Sequence, residues 1–463
     1  MAKIFEHSED ADIMQLSIFE TPATNMSVKD RRYLNYHPVS GITANTNVIH
    51  FSIKGNSMKY LDLLDSRLYV RCKLRDVDGN VPLTAKITDK DAEKPSLDDD
   101  DNDDAMSKKD DAPKTLEVVF PVNHLLQSMW KQVEVYLGGK LVSSGSTNYH
   151  YKSMIKTLVY LLTSEGKKRA LMSELFFEDS PGGHDVLTSE VTPNSGAYKR
   201  KAYTQNGATF EMEGNLNEDV MKLKKYLING VDFDLKLYPA RSAFLLMAKN
   251  VRKEYKIIIE DCLFKASTVD VGGSIISAHN QSLAKKAMAQ YFFEQTQLNN
   301  FTVAKGQRNF SATAFQGRIP HRVVVAMVSA QRYNGDYHLN PFKFHHFDVT
   351  NMSLLVNDVS TPHRPLEMNF RKGQFASALF NLIKTRSNVV IDAESFDKGY
   401  SLFVFDVNPK LNRGQLPLQT SGNVRLEMQF EKELDESVQV LVYGEYESCI
   451  QIDHERTVYY TPI

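Results

Sequence analysis

Gln132-Val133-Glu134-Val135-Tyr136-Leu137-Gly138-Gly139-Lys140-Leu141-Val142 reads as a β-hairpin. Val133, Val135 and Leu137 alternate with Glu134 and Tyr136, the period of a half-buried strand. The two glycines readily take the positive φ angles of a primed two-residue turn. The phrase returns at Val349–Val356, turned by Asn357-Asp358. Each hairpin precedes an aromatic-flecked segment with helical spacing, Ser153–Leu162 and then Phe375–Ile383. Each half closes on two more strands, Val231–Tyr238 with Ile257–Phe264, later Val424–Phe430 with Val438–Tyr446. A repeat of about 200 residues is too long for a solenoid or propeller unit of roughly 20–50. It predicts two similar β domains in tandem.

Working outward, Val48–Ile53 and Leu68–Leu74 are further strands, the second with Leu68, Val70, Cys72 and Leu74 on one face. Pattern then collapses in Asp89–Lys114, where Asp98, Asp99, Asp100, Asp101, Asp103 and Asp104 surround Asn102. Self-repulsion and the lack of apolar residues predict a solvated, exposed loop. Thr163–Asn229 is longer than a compact domain needs for a connection and predicts a functional or assembly loop. Gly272-Gly273 marks a seam, followed by a helix-like Ser282–Ala289. The expected layout is an N-terminal arm (1–30), a first domain (31–268, with the acidic loop 89–114 and the insertion 163–229), a linker with a short helix (269–289), a second domain (290–455) and a C-terminal tail (456–463).

Of the 463 residues, 42% are hydrophobic, ample for two buried cores. The formal charge of −2 gives no bulk field to draw the chain onto DNA or anionic lipid. Lys167-Lys168-Arg169 and Lys199-Arg200-Lys201 are short basic clusters, read as solvated faces, so no sequence-specific nucleic-acid binding is expected. The N-terminus lacks the apolar run of a signal peptide, and no stretch reaches ~18 uncharged apolar residues, so no membrane span is expected. Cys72, Cys262 and Cys449 are isolated and odd in number, poor material for a disulfide framework.

Chemical motifs are scarce. His345-His346, read as part of a strand, would point to opposite faces and could not share one metal ion. The aspartate run lacks the ligand spacing and glycine of an EF-hand loop. No phosphate-cradling loop and no nucleophile elbow is present. The expectation is no enzyme: no catalytic residue, no metal and no cofactor. Phe342, Phe344, His345, His346 and Phe347, with the Thr163–Asn229 excursion, are candidates for intersubunit contact; for the first group, ordinary core aromatic packing is the alternative.

Tyr36-His37-Pro38-Val39, Tyr60-Leu61-Asp62-Leu63 leading into Leu68-Tyr69-Val70-Arg71, and Val122-Asn123-His124-Leu125-Leu126-Gln127-Ser128-Met129-Trp130 form a recognisable opening. Tyr226-Leu227-Ile228-Asn229-Gly230-Val231-Asp232, Asn340-Pro341-Phe342 and Lys398-Gly399-Tyr400-Ser401-Leu402-Phe403-Val404-Phe405-Asp406 continue it. Asn423-Val424-Arg425-Leu426-Glu427 and Val442-Tyr443-Gly444-Glu445-Tyr446 close it. In this order the segments resemble the major capsid proteins of Polinton-like and adintovirus-like double-stranded DNA viruses, whose genes also occur integrated in animal genomes. The resemblance implies an all-β double jelly roll, two tandem eight-stranded sandwiches with short helices and long loop insertions. It implies a hexon-like homotrimer that tiles an icosahedral capsid, with vertex (penton) and minor capsid proteins as partners. It further implies synthesis in the host cytosol and a final location in the virion. The acidic loop is an addition to the family pattern, so no family role carries over to it. The alternatives are a minor capsid or vertex protein, or a non-viral two-domain β-sandwich binding module.

Overall fold

Two sandwiches of one construction lie side by side in a computed structural model, which describes residues 18–19, 21, 24–43, 46–82, 118–162, 165–187, 194–249, 254–385, 391–408, 416 and 418–460. The aspartate run Asp98–Asp104 lies outside the described residues.

The first sandwich contains β1 (Val28–Tyr36), β2 (Ile49–Ile53), β3 (Lys59–Asp76), β4 (Val119–Pro121), β5 (Trp130–Leu137), β6 (Lys140–Leu141), β7 (Thr209–Gly214), β8 (Phe233–Pro239), β9 (Leu246–Ala248) and β10 (Tyr255–Val271). One sheet runs β1-β10-β3-β7, the other β2-β8-β5-β6, with β4 and β9 as a small separate pair. The second contains β11 (Ala289–Val303), β12 (Asn309–Arg318), β13 (Arg322–Ser329), β14 (Val349–Val356), β15 (Val359–Glu367), β16 (Leu402–Asp406), β17 (Ser421–Phe430), β18 (Val438–Ile452) and β19 (Val458–Tyr460). Its sheets run β11-β18-β13-β16 and β12-β17-β14-β15, with β19 added on β18.

Setting aside β4, β9 and β19, each sandwich has, among the described residues, eight strands in the same two sheet orders, first-eighth-third-sixth and second-seventh-fourth-fifth. All pairings between these strands are antiparallel. This is the jelly roll, made twice, and the chain has the double jelly-roll fold. The two hairpins of the sequence are the fourth and fifth strands of each copy. Both turns are the primed type: Gly138 and Gly139 have φ of 54° and 79°, Asn357 and Asp358 of 49° and 65°.

The structure corrects several boundaries. The Thr163–Asn229 excursion is not only a loop, since it contains β7, the sixth strand of the first sandwich. The linker helix spans Gly273–Ala284, earlier than Ser282–Ala289. The Gly272 carbonyl accepts from Ile275 and Ile276, so the glycine seam starts this helix instead of preceding a spacer. The terminal segment treated as a tail carries β19, paired with β18 through Ile450 and Tyr460. The three cysteines are free. Among the described residues no helix is long and apolar enough to cross a membrane.

Patterning explains how the sheets are covered. In β3, Leu68, Val70, Cys72 and Leu74 are buried and alternate with half-exposed Tyr69, Arg71 and Lys73, as a strand with one wet face should. In β13, Val323 through Ser329 are all buried. A continuous run of this kind means both faces of the sheet are covered. One face meets the second sandwich's own core; the other meets the first sandwich.

Candidate functional site: the junction between the sandwiches

The covering element is the chain after β6. Tyr149–Lys156 forms an α-helix that widens into a π turn at Thr157–Leu161, and most of its side chains are buried. Lys152 sits in the middle, its side chain 1% exposed. Its Nζ donates to Glu218 Oε1 at 3.1 Å and Asp219 Oδ2 at 2.8 Å. Lys156 Nζ donates to Asp219 Oδ1 at 2.7 Å. Asp219 Oδ2 also accepts from the Thr296 backbone N–H and hydroxyl, each at 2.8 Å, and Thr296 belongs to β11 of the second sandwich. Burial works to raise the Asp219 pKa, but the two ammonium groups outweigh it and hold the carboxyl below its ordinary value. Burial likewise works to lower that of Lys152, and the carboxylates of Asp219 and Glu218 outweigh it upward. Glu218 is pushed up, chiefly by burial. The network is an ionic bolt: two lysines and two acids of the first sandwich, seated on a backbone amide of the second.

Beside it is an aromatic cluster. Tyr151 stacks on Tyr333 at 5.6 Å and meets the edge of Phe342 at 5.8 Å. Phe244 packs edge-on to Phe342 at 5.6 Å and stacks with His150 at 4.2 Å. Burial lowers the His150 pKa to about 3, so this imidazole is neutral in the fold. Tyr333 OH donates to Asn148 Oδ1 at 2.9 Å, which ties the same helix start to the second sandwich.

The excursion supplies a third set of contacts. Asp185 receives Arg332, at 2.9 Å through Nη2, and Lys343 at 2.8 Å, both from the second sandwich. Asp179 is clasped by Arg200 at 2.7 Å and by Asn340 Nδ2 at 3.1 Å. Burial opposes ionisation of both aspartates, yet their cationic partners hold the two carboxyls below the ordinary value. His184 presses on Tyr400 edge-to-face at 4.9 Å. Near β19, Arg456 Nε donates to Asn229 O at 2.7 Å and its Nη2 to Asn280 at 3.0 Å, joining the first sandwich, the linker helix and the C-terminal turn.

Phe342 and Phe344 are 1% and 0% exposed, packed by the chain's own Tyr151 and, for Phe342, Phe244. These two side chains are therefore packed within the chain, at the junction between the sandwiches. His345 and His346 are not on a strand. They occupy a turn in which Phe347 and Asp348 have positive φ, and the rings stack at 4.3 Å instead of pointing apart. Each Nδ1 accepts a backbone N–H, from Phe347 at 2.8 Å and from Asp348 at 2.9 Å. Burial is the main reason both pKa values fall to about 4. His345 and Phe347 keep partial exposure, whereas His346 lies against Phe370 at 3.9 Å. Lys152, Glu218 and Asp219 escaped the sequence reading; adjacent acids inside apolar Leu216–Leu223 were the available signal.

A strand order of this kind, doubled in one chain and bolted through one junction, defines the class: a double jelly-roll protein. No family model matches the sequence. The uncharacterized protein F54H12.2 of Caenorhabditis elegans is 25% identical over 351 residues, covering 73% of this chain and 81% of that protein. Among solved structures, a chain of the Sputnik virophage superposes with a TM-score of 0.62 at 11% identity, covering 100% of this chain and 94% of that one. The mavirus major capsid protein superposes with a TM-score of 0.51 at 8% identity, covering 100% and 97%. At such identities the likeness shows the fold.

Proposed function

We propose that this chain is the major capsid protein of a double-stranded DNA virus, or of an integrated element of viral origin, and that it trimerises into pseudo-hexagonal capsomers that tile an icosahedral shell. The observation that carries the reading is the repeated sheet order with the two copies locked at a buried junction. A subunit with two rigidly related sandwiches offers six to a threefold ring, and closed rotational symmetry leaves no unsatisfied interface within the ring. The structural neighbours, a chain of a virophage particle and a viral major capsid protein, support it. The function is geometric and no residue is catalytic. The relative in an animal proteome favours the Polinton-like or adintovirus-like lineage.

On this reading His345 and Phe347 remain candidates for intersubunit contact, joined by exposed Val359, Phe380 and Ile383 on the second sandwich. Vertex and minor capsid proteins complete the shell in the virion. Size-exclusion chromatography with light scattering tests the core of the proposal. A particle of three 52.6 kDa chains, seen as a threefold ring by negative-stain microscopy, is the expected result. A monodisperse monomer across concentrations would overturn it and favour a binding module.

A further inference from the structure

We propose that Glu294, His321 and Glu445 form a transition-metal site on the second sandwich, suited to Zn²⁺ or an ion of like chemistry. β11, the residue ahead of β13, and β18 supply one ligand each. His321 Nε2 lies 3.4 Å from Glu445 Oε2 and 3.9 Å from Glu294 Oε2, and one ligand atom from each residue falls within 4.8 Å of the others. These separations are long for hydrogen bonds between nitrogen and oxygen. They suit a shared ion, because tetrahedral Zn²⁺ with bonds of about 2.0–2.1 Å holds its ligand atoms about 3.3–3.4 Å apart.

Burial is the second, independent observation. The His321 side chain is 5% exposed and that of Glu445 0%, yet His321 Nε2 and Glu445 Oε1 lack a partner at good hydrogen-bond geometry, the Glu445 carboxylate being served otherwise by Arg322 and Tyr160. Buried polar atoms are rarely left so, and a bound ion is one of the recognised reasons. Glu294 is 32% exposed and provides the way in.

Charge and support agree with a cation. Arg322 Nη1 donates to Glu445 Oε2 at 3.2 Å and its Nε to Asp406 Oδ1 at 2.8 Å. Counting Glu294, Glu445 and Asp406 against Arg322, with His321 neutral, leaves two surplus negative charges, which one divalent ion cancels. Arg322 also reaches Tyr160 OH on the π turn at 3.3 Å, so it orients a ligating carboxylate from outside, the usual supporting arrangement of metal sites. An ion here would stiffen the sheet face on which the first sandwich rests. All three ligands lie on one sandwich, so the site is independent of capsid assembly.

The full chain, stripped by chelator, is titrated with ZnCl₂ by calorimetry and with CoCl₂ by visible absorption. The expected result is one ion per chain, the intense visible bands of four-coordinate Co²⁺, and affinity at least about ten-fold weaker in Glu294→Gln and His321→Gln, in line with losses at supporting positions. The doubly substituted His345→Gln, His346→Gln chain is expected to keep binding. Glu294 is half-exposed, so its variant reports even where His321→Gln fails to fold. No stoichiometric ion in the parent chain, unchanged affinity in Glu294→Gln, or loss confined to the His345 and His346 variant would each overturn the site.

Discussion

The two sandwiches share a strand order and differ in what lies on the outer face of one sheet. In the first, β3, β7 and β10 carry a lattice of ion pairs open to water, with Lys73 on Glu260 at 2.6 Å and Lys265 on Glu213 at 2.7 Å. In the second, the equivalent face of β11, β18 and β13 is covered by the first sandwich's helix, π turn and Glu218-Asp219. The same sheet position is therefore a surface in one copy and an interior in the other. That asymmetry turns a duplicated domain into a rigid two-domain subunit. It also converts the energetics of a lysine: the same ion pair belongs to different regimes on the two faces.

The sharpest way to break the comparison is to remove one lysine from each face. Lys152→Met leaves Asp219 with one cation and Glu218 with none, in a place water does not reach. Breaking a buried pair in this way costs about 3–5 kcal/mol. Lys73→Met removes a pair that solvent already screens and should cost ~1 kcal/mol or less. Urea denaturation of both variants against the parent chain measures the difference. Equal losses would mean that the junction is not the buried bolt described above.

Acid should separate the faces next. His345 and His346 have pKa values lowered to about 4, and His150 to about 3, mainly by burial. The unfolded chain takes up these protons from about pH 6.5 downward while the fold refuses them. Stability is then fully present above that value and is lost as pH falls toward 4. Asp179, Asp185 and Asp219 are also depressed in the fold. Their contribution is complete above the ordinary carboxylate value and disappears as pH falls below it. The thermal midpoint should therefore drop in two acid stages. Hydrogen exchange should show the Tyr149–Leu161 segment losing protection before β17; the reverse order would contradict the assignment of His150 and the three aspartates to the junction.

Why the junction was hard to read follows from its residues. Hairpins and alternating strands announce themselves by a period of two, and β5, β14 and β17 were legible for that reason. β7 carries the same signal, with Phe210 and Met212 buried between Thr209, Glu211 and Glu213, but it is six residues long inside a segment otherwise without pattern. Lys152 and Asp219 are residue types found outside by default, and nothing in one sequence says that their charges meet. Phe342 was conspicuous as an aromatic, yet only the fold decides whether Tyr151 of the same chain or a neighbouring subunit covers it. The unbroken burial of β13 marks a doubly covered strand only once the fold is known; what covers it lies more than 100 residues away in the chain.

The smallest effects separate the two hairpin turns, which have one geometry and different surroundings. A side chain on Gly138 would meet Val458 at 3.2 Å and the Arg456 carbonyl at 3.4 Å, both from the second sandwich, whereas one on Gly139 would meet nothing within 4 Å. Both positions have positive φ, which Asn and Asp tolerate better than other L-residues. Carrying the second turn's residues into the first is therefore informative. Gly138→Asn should cost ~1 kcal/mol through crowding against β19, and Gly139→Asp only a few tenths. In the opposite direction, Asn357→Gly removes the acceptor of the Asn423 backbone N–H at 3.0 Å and should cost ~1 kcal/mol, while exposed Asp358→Gly should stay within ~0.5 kcal/mol. Urea midpoints of the four variants decide it. If Gly138→Asn and Gly139→Asp are equally mild, the C-terminal turn does not press on the first sandwich, and the junction ends at the ionic and aromatic contacts.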